Sequence, residues 1–127
     1  MKLASVRLIA ADIKSMVSFY EMVTDLEAEW LAPVFAEIVT PGATLAIGSA
    51  ETVRLWKEGS AEPGANRTAY VEFQVDNIDA HYERLKDKVP LVHELKTMPW
   101  GTPSIMLDIS SWRSSGVDCG IKLQKRS

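Results

Sequence analysis

Two histidines and one cysteine are the only imidazole and thiol groups in this chain, and their spacing excludes more chemistry than it supports. His81 shares a helical stripe with Ile78 and Leu85, the pattern of a ring at a helix–sheet boundary rather than of a metal ligand or acid–base group. His93 alternates with Val92 and Glu94 as in a strand, which leaves its ring free to face a ligand. Cys119 has no second thiol for a disulfide or a zinc site, and reads as a small apolar filler in a strand. Neither a Ser-His-Asp spacing nor a glycine-rich phosphate loop is present. The more informative group is Arg7, Tyr70 and Glu72. A charge in a cleft is costly unless paired, so Arg7 and Glu72 either pair with each other or meet a ligand. Tyr70 can donate its hydroxyl, and a buried Glu72 could serve as a general base. Four tryptophans, Trp30, Trp56, Trp100 and Trp112, offer flat apolar walls, and Trp100 between Pro99 and Gly101 is placed to border the mouth of a site.

The elements that position these residues are read most clearly in Ala69–Lys86, AYVEFQVDNIDAHYERLK. Val71, Phe73 and Val75 alternate with Tyr70, Glu72 and Gln74, the period of a strand with one face on a core. Asp76 or Asn77 can then cap a helix carrying Ile78, Tyr82 and Leu85 at helical spacing, ended near Lys88 by Pro90. The same order occurs earlier: Val6, Leu8 and Ala10 precede Asp12 and a stripe of Ile13, Met16, Val17 and Tyr20. The two segments form an internal repeat. If the apolar members of each strand lie under the helices, Ser5, Arg7 and Ile9, with Tyr70, Glu72 and Gln74, point to the opposite face.

With 127 residues and 46% hydrophobic content the chain is the size of one ordinary domain, so the duplication lies within it. Module one spans about residues 1–48, a linker about 49–67 and module two about 68–127. A formal net charge of -3 disfavours a sequence-independent role on nucleic acid, and basic residues cluster only at Lys122–Arg126. No apolar run suggests export or membrane insertion, and a cytoplasmic location is expected. In chain order, Lys2–Ala10 is a strand and the helix runs to about Thr24. Leu26–Leu31, Val34–Thr40 and Ala43–Gly48 follow as strands, broken at Pro33 and Pro41-Gly42. Ser49–Arg67 connects the halves, with Arg54, Leu55 and Trp56 suggesting a short helical turn packed by its tryptophan. After the second strand and helix, Leu91–Thr97, Thr102–Ile109 and Val117–Leu123 complete a second β-α-β-β-β series. Two such sheets would leave a cleft between them, a common setting for a small-molecule site.

These segments, VRLIAADIKSMVSFYEMV, EPGANRTAYVEFQVDNIDAHYERLK and TMPWGTPSIML, resemble the vicinal oxygen chelate superfamily of glyoxalases, bleomycin-resistance proteins and extradiol dioxygenases. The resemblance implies an α+β fold in which two paired βαβββ modules curve a mixed sheet around a cup. Metal enzymes of that family carry a His early in the first strand of each half and a Glu or His in the last. The matching positions here are Ser5, Tyr70, Ala46 and Lys122, none a usual metal ligand, and the C-terminal DISSWRSSGVDCGIKL departs from the family pattern.

The expectation is therefore a metal-free, cofactor-free small-molecule binding protein. It would hold an aromatic or anionic organic ligand with Arg7, Tyr70, Glu72, His93 and Trp100, and would form a homodimer, as such proteins commonly do. A lyase, isomerase or dioxygenase of the same superfamily, or an accessory interaction domain, are the alternatives, and the sequence identifies no catalytic residue.

Overall fold

The computed structural model describes residues 1–125, so Arg126 of the expected basic terminus lies outside the described residues. The chain divides into two compact units: Met1–Ala65 with Trp112–Asp118, and Asn66–Ser111 with the chain from Cys119 on. The segment 112–118 thus groups with the first unit rather than with the second half of the sequence.

In the first unit, β1 (Ser5–Ala10) leads into helix α1 (Ile13–Thr24) and then β2 (Glu29–Ala32), β3 (Phe35–Val39) and β4 (Thr44–Ser49). Asp12 starts α1 because its carboxylate accepts the Ser15 N–H at 3.2 Å. Asp25 ends it with φ 57° while donating its N–H to the Glu21 carbonyl at 2.9 Å. The sheet order is β1-β4-β3-β2, with β1 parallel to β4 and the other neighbours antiparallel. Met16, Val17, Phe19, Tyr20 and Val23 of α1 are buried together with Ala36, Ile38, Leu45 and Ile47 of the sheet. Each of the larger of these, the Val, Leu, Ile, Met and Phe side chains, contributes about 1.5–3 kcal/mol through burial. Val6 departs from the expected core, being 49% exposed, because β1 is an edge strand and α1 lies mainly over β3 and β4.

The second unit repeats the topology. There β5 (Tyr70–Val75), α2 (Ile78–Leu85), β6 (Leu91–Thr97), β7 (Pro103–Leu107) and β8 (Gly120–Lys125) give the order β5-β8-β7-β6. Asn77, rather than Asp76, caps α2, its side chain accepting the Ala80 N–H at 3.1 Å. The helix closes at Leu85, short of Lys88, and continues as a turn in which the Leu85 carbonyl accepts the N–H groups of both Lys88 and Val89 at 2.9 Å. Glu72 and Gln74 are exposed while Val71, Phe73 and Val75 are partly covered, as the alternation requires. The centre of this core lies in the inner strands, at Ile105, Leu107, Ile121 and Leu123, with Leu85 of the helix.

Two short 3₁₀ helices join the elements. Ala50–Leu55 follows β4, and its buried residues are Thr52 and Val53. Trp56 just beyond it is 71% exposed, so the expected packing of this turn by its tryptophan is replaced by packing through Thr52 and Val53. Ser110–Ser115 lies where no helix was expected. Its residues from Trp112 to Ser115 pack within the first unit. The Ser115 carbonyl accepts the N–H groups of Ala11 and Asp12 at 3.0 and 3.2 Å, its hydroxyl donates to the Ser15 hydroxyl at 2.7 Å, and Trp112 packs on Phe19 with ring centroids 4.6 Å apart. The last strand consequently starts at Gly120, not at Val117.

Candidate ligand-binding site

The helix-free face of the second sheet is built from a parallel register that sets Tyr70 beside Gly120 and Glu72 beside Lys122, with Met106 on the next strand and His93 beyond it. Gly120 is required here. A Cβ at this position would come within 2.6 Å of Tyr70 Cδ1 and 3.8 Å of Met106 Sδ, so the absent side chain is what lets the phenol ring lie down on β8. Lys122, only 8% exposed, sends its ammonium to Glu72 at 3.4 Å and sits 5.3 Å from the centre of the Trp100 ring. Trp100 itself is 68% exposed. It is carried by the β6–β7 turn, closed by the Gly101 N–H to the Met98 carbonyl at 2.8 Å and the Met98 N–H to the Thr102 carbonyl at 2.9 Å. Gly101 supplies the φ of 91° that this turn needs.

This arrangement brings together Tyr70, Glu72 and Trp100 of the expected residues and adds Lys122, which sequence reading aligned with a metal-ligand position but did not count as a binding residue. Its signal was the alternation of Gly120, Lys122 and Gln124 against Ile121 and Leu123. Glu72 takes Lys122 as its ion partner, in place of the pairing with Arg7 suggested above. Its side chain remains 46% exposed, so the burial on which a general-base role would draw is lacking. His93 lies on the edge strand between two register shifts, and its Nδ1 is 2.8 Å from the Glu94 carbonyl oxygen. His81 is part-buried and contacts Arg84 on its own helix, with Nδ1 2.8 Å from Arg84 Nη2.

The helix-free face of the first sheet has a related plan. Arg7 pairs in register with Ala46 and its guanidinium lies 4.5 Å from the Phe35 ring centre and 5.4 Å from that of Trp56. Gly48, opposite Phe35 on β4, leaves a path across the strand: a Cβ there would stand 3.8 Å from Arg7 Cδ and 2.8 Å from the Thr52 hydroxyl. Of the four tryptophans, then, Trp56 and Trp100 each stand exposed beside a strand cation, Trp112 is packed on Phe19, and Trp30 is half exposed on β2. Cys119 is buried, with Asn66 Nδ2 3.4 Å from its sulfur.

The register bears on the four positions that the resemblance matches to the family's metal ligands. Arg7 pairs with Ala46 as Glu72 pairs with Lys122, so Ala46 and Lys122 are true equivalents in the two repeats. The four positions thus offer a hydroxyl, a methyl, a phenol and an ammonium already bound to a carboxylate, a set that does not fit a divalent ion. Among the described residues no three His, Cys, Asp or Glu side chains converge. Calorimetric titration with zinc, nickel, manganese and ferrous iron is expected to show no stoichiometric site. A micromolar or tighter site abolished by Glu72→Ala or His93→Ala would contradict this.

A twice-repeated βαβββ unit with a polar, aromatic-edged sheet face defines a class of small α+β proteins, and the comparisons place the chain within it. The model of the glyoxalase/bleomycin resistance protein/dioxygenase superfamily matches residues 2–109, and the chain belongs to that superfamily. Its fold is similar to that of a glyoxalase/bleomycin resistance protein/dioxygenase from Nocardioides, with a TM-score of 0.75, 21% identity, and 98% and 83% of the two chains covered. A glyoxalase/bleomycin resistance protein/dioxygenase family enzyme from Burkholderia phytofirmans PsJN gives a TM-score of 0.76 at 15% identity, covering 98% of each chain. TioX from Micromonospora sp. ML1 gives 0.69 at 15% identity over the full length of both. No curated protein matches the chain. Among the described residues no helix is long and apolar enough to cross a membrane.

Proposed function

We propose that this protein binds a small organic molecule with aromatic character on the helix-free faces of its sheets, without a metal. The observation that carries this reading is the pairing, in each unit, of a strand cation with an indole about 70% exposed: Arg7 with Trp56 (71%) and Lys122 with Trp100 (68%). Large exposed tryptophans are costly to solvate, and a flat ligand would cover them while leaving its polar group to the neighbouring cation. Tyr70 is 67% exposed and adds a hydroxyl beside the same surface, and His93 lines the edge of the second sheet. The Glu72–Lys122 pair offers one acceptor and further N–H donors at a single point, suited to orienting a ligand by hydrogen bonds. Binding without catalysis is favoured over lyase, isomerase or dioxygenase chemistry because the positions that would activate a substrate hold Ala46 and a neutralised Lys122. The reading includes a homodimer working in the cytoplasm, where the single buried Cys119 would stay reduced.

A thermal-shift screen of planar acids and drug-like heterocycles on the full chain tests it. Hits are expected to lose at least tenfold in affinity with Trp100→Ala, Lys122→Met or Arg7→Ala. Lys122→Met should cost less than about 1 kcal/mol in stability, because the half-exposed Glu72 can rehydrate when its partner goes. Hits indifferent to all three substitutions would place the ligand elsewhere and defeat the proposal.

A further inference from the structure

The two cation–indole pairs are not electrically alike, and the difference assigns them different ligand chemistry. Lys122 is neutralised by Glu72, its register partner. In the first unit the order of residues is reversed: the cation stands on the first strand at Arg7, and its register partner is Ala46, which has no charge to offer. The nearest carboxylate in the same row is Glu37, which pairs with Ala46 from the far side. Arg7 does not reach for it. Its side chain instead runs over Gly48 towards Phe35, and among the described residues no carboxylate forms an ion pair with it. Arg7 is exposed where it lies over Phe35, and a guanidinium offers its N–H donors in a rigid fork that can receive a carboxylate bidentately. Trp56, beside it, supplies a stacking wall that is 71% exposed.

We infer that Arg7 and Trp56 form a subsite for a planar aromatic carboxylate, Arg7 binding the anionic group and Trp56 stacking on the ring. The inference rests on the proposal that the sheet faces bind organic ligands, and it adds the charge of the ligand and the unit that reads it. Gly48 borders the subsite: a Cβ there would only touch Arg7 Cδ, at 3.8 Å, and its steric conflict would be with the Thr52 hydroxyl at 2.8 Å.

Isothermal titration of the full chain with 2-naphthoate, the neutral 2-naphthamide and the cationic 2-naphthylmethylammonium separates the two claims. Naphthoate is expected to bind at least tenfold more tightly than the amide, and the ammonium more weakly than either. Arg7→Gln should remove the preference for naphthoate while changing the affinity for the amide less than twofold, Arg7→Lys should restore part of it, and Trp56→Ala should weaken naphthoate and amide together. Raising the salt concentration should reduce the naphthoate affinity alone. Equal binding of naphthoate and amide, or a preference that survives Arg7→Gln, would overturn the subsite while the binding proposal stood. A preference lost in Lys122→Met but kept in Arg7→Gln would move the anion to the second unit and overturn it equally. Failure of all three compounds to bind at millimolar concentration would overturn both.

Discussion

Gly116→Ala is expected to be among the most damaging single substitutions in the chain, although it adds one methyl group. Gly116 has φ 100°, a backbone conformation in which an L-residue is strained by on the order of 1–3 kcal/mol. Steric conflict adds to that. The new Cβ would stand 2.8 Å from the Ala11 backbone nitrogen, 3.1 Å from Ala10 Cα and 3.2 Å from the Ile9 carbonyl oxygen. These are backbone atoms at the junction of β1 and α1, where no side chain can swing aside, and overpacking of this kind costs about another 1–3 kcal/mol. Relief would require withdrawing the 112–118 segment, which would break the hydrogen bonds from Ala11 and Asp12 to the Ser115 carbonyl. Urea unfolding should therefore show a loss of several kcal/mol for Gly116→Ala. Gly42→Ala, with nothing within 4 Å of its added Cβ, should change stability by less than about 0.5 kcal/mol. A Gly116→Ala loss below about 1 kcal/mol would mean that the segment does not sit on α1 as described.

Phe19→Ala should cost about 3–5 kcal/mol, the range for removing a large aromatic from a packed core. Phe19 is 1% exposed and stands between two rings, with centroids 5.2 Å from Tyr20 in an edge-on arrangement and 4.6 Å from Trp112. Deleting it opens a cavity that Trp112, fixed by the hydrogen bonds of Ser115, cannot readily fill. The fluorescence of Trp112 should shift to longer wavelength in the folded variant as water gains access. Phe73, the aromatic that strand alternation alone would choose, should cost less, because β5 is an edge strand and leaves it only partly covered.

That contrast shows what the sequence made legible. The two β-α starts, the Asp12 cap, the alternation of Tyr70–Val75 and the family were readable because alternation, Asx caps and helical stripes are local signals in Lys2–Thr24 and Ala69–Lys86, while the second cap stayed open between Asp76 and Asn77. The extent of burial was not, since it depends on whether a strand is at the edge or the centre of its sheet, and this is a property of topology. The 3₁₀ helix Ser110–Ser115 was missed for a similar reason. Its residues, SSWRSS, have no helical stripe, and their stability comes from contacts with α1 nearly one hundred residues away along the chain. At the candidate site, Arg7, Tyr70, Glu72 and Trp100 were selected by face and by residue type. Lys122 and Trp56 were undervalued because their significance lies in what they touch: a carboxylate and an indole in one case, a guanidinium in the other.

The central claim, that the exposed indoles beside Arg7 and Lys122 are where a ligand settles, is tested most directly by the indole Nε1–H resonances in a two-dimensional ¹H–¹⁵N spectrum, assigned by single Trp→Phe substitutions. Saturation with a compound found by the thermal-shift screen should displace the signal of Trp56, Trp100 or both, and leave Trp112, packed on Phe19, unmoved. Displacement confined to Trp30 or Trp112, with Trp56 and Trp100 unchanged at saturation, would contradict the account.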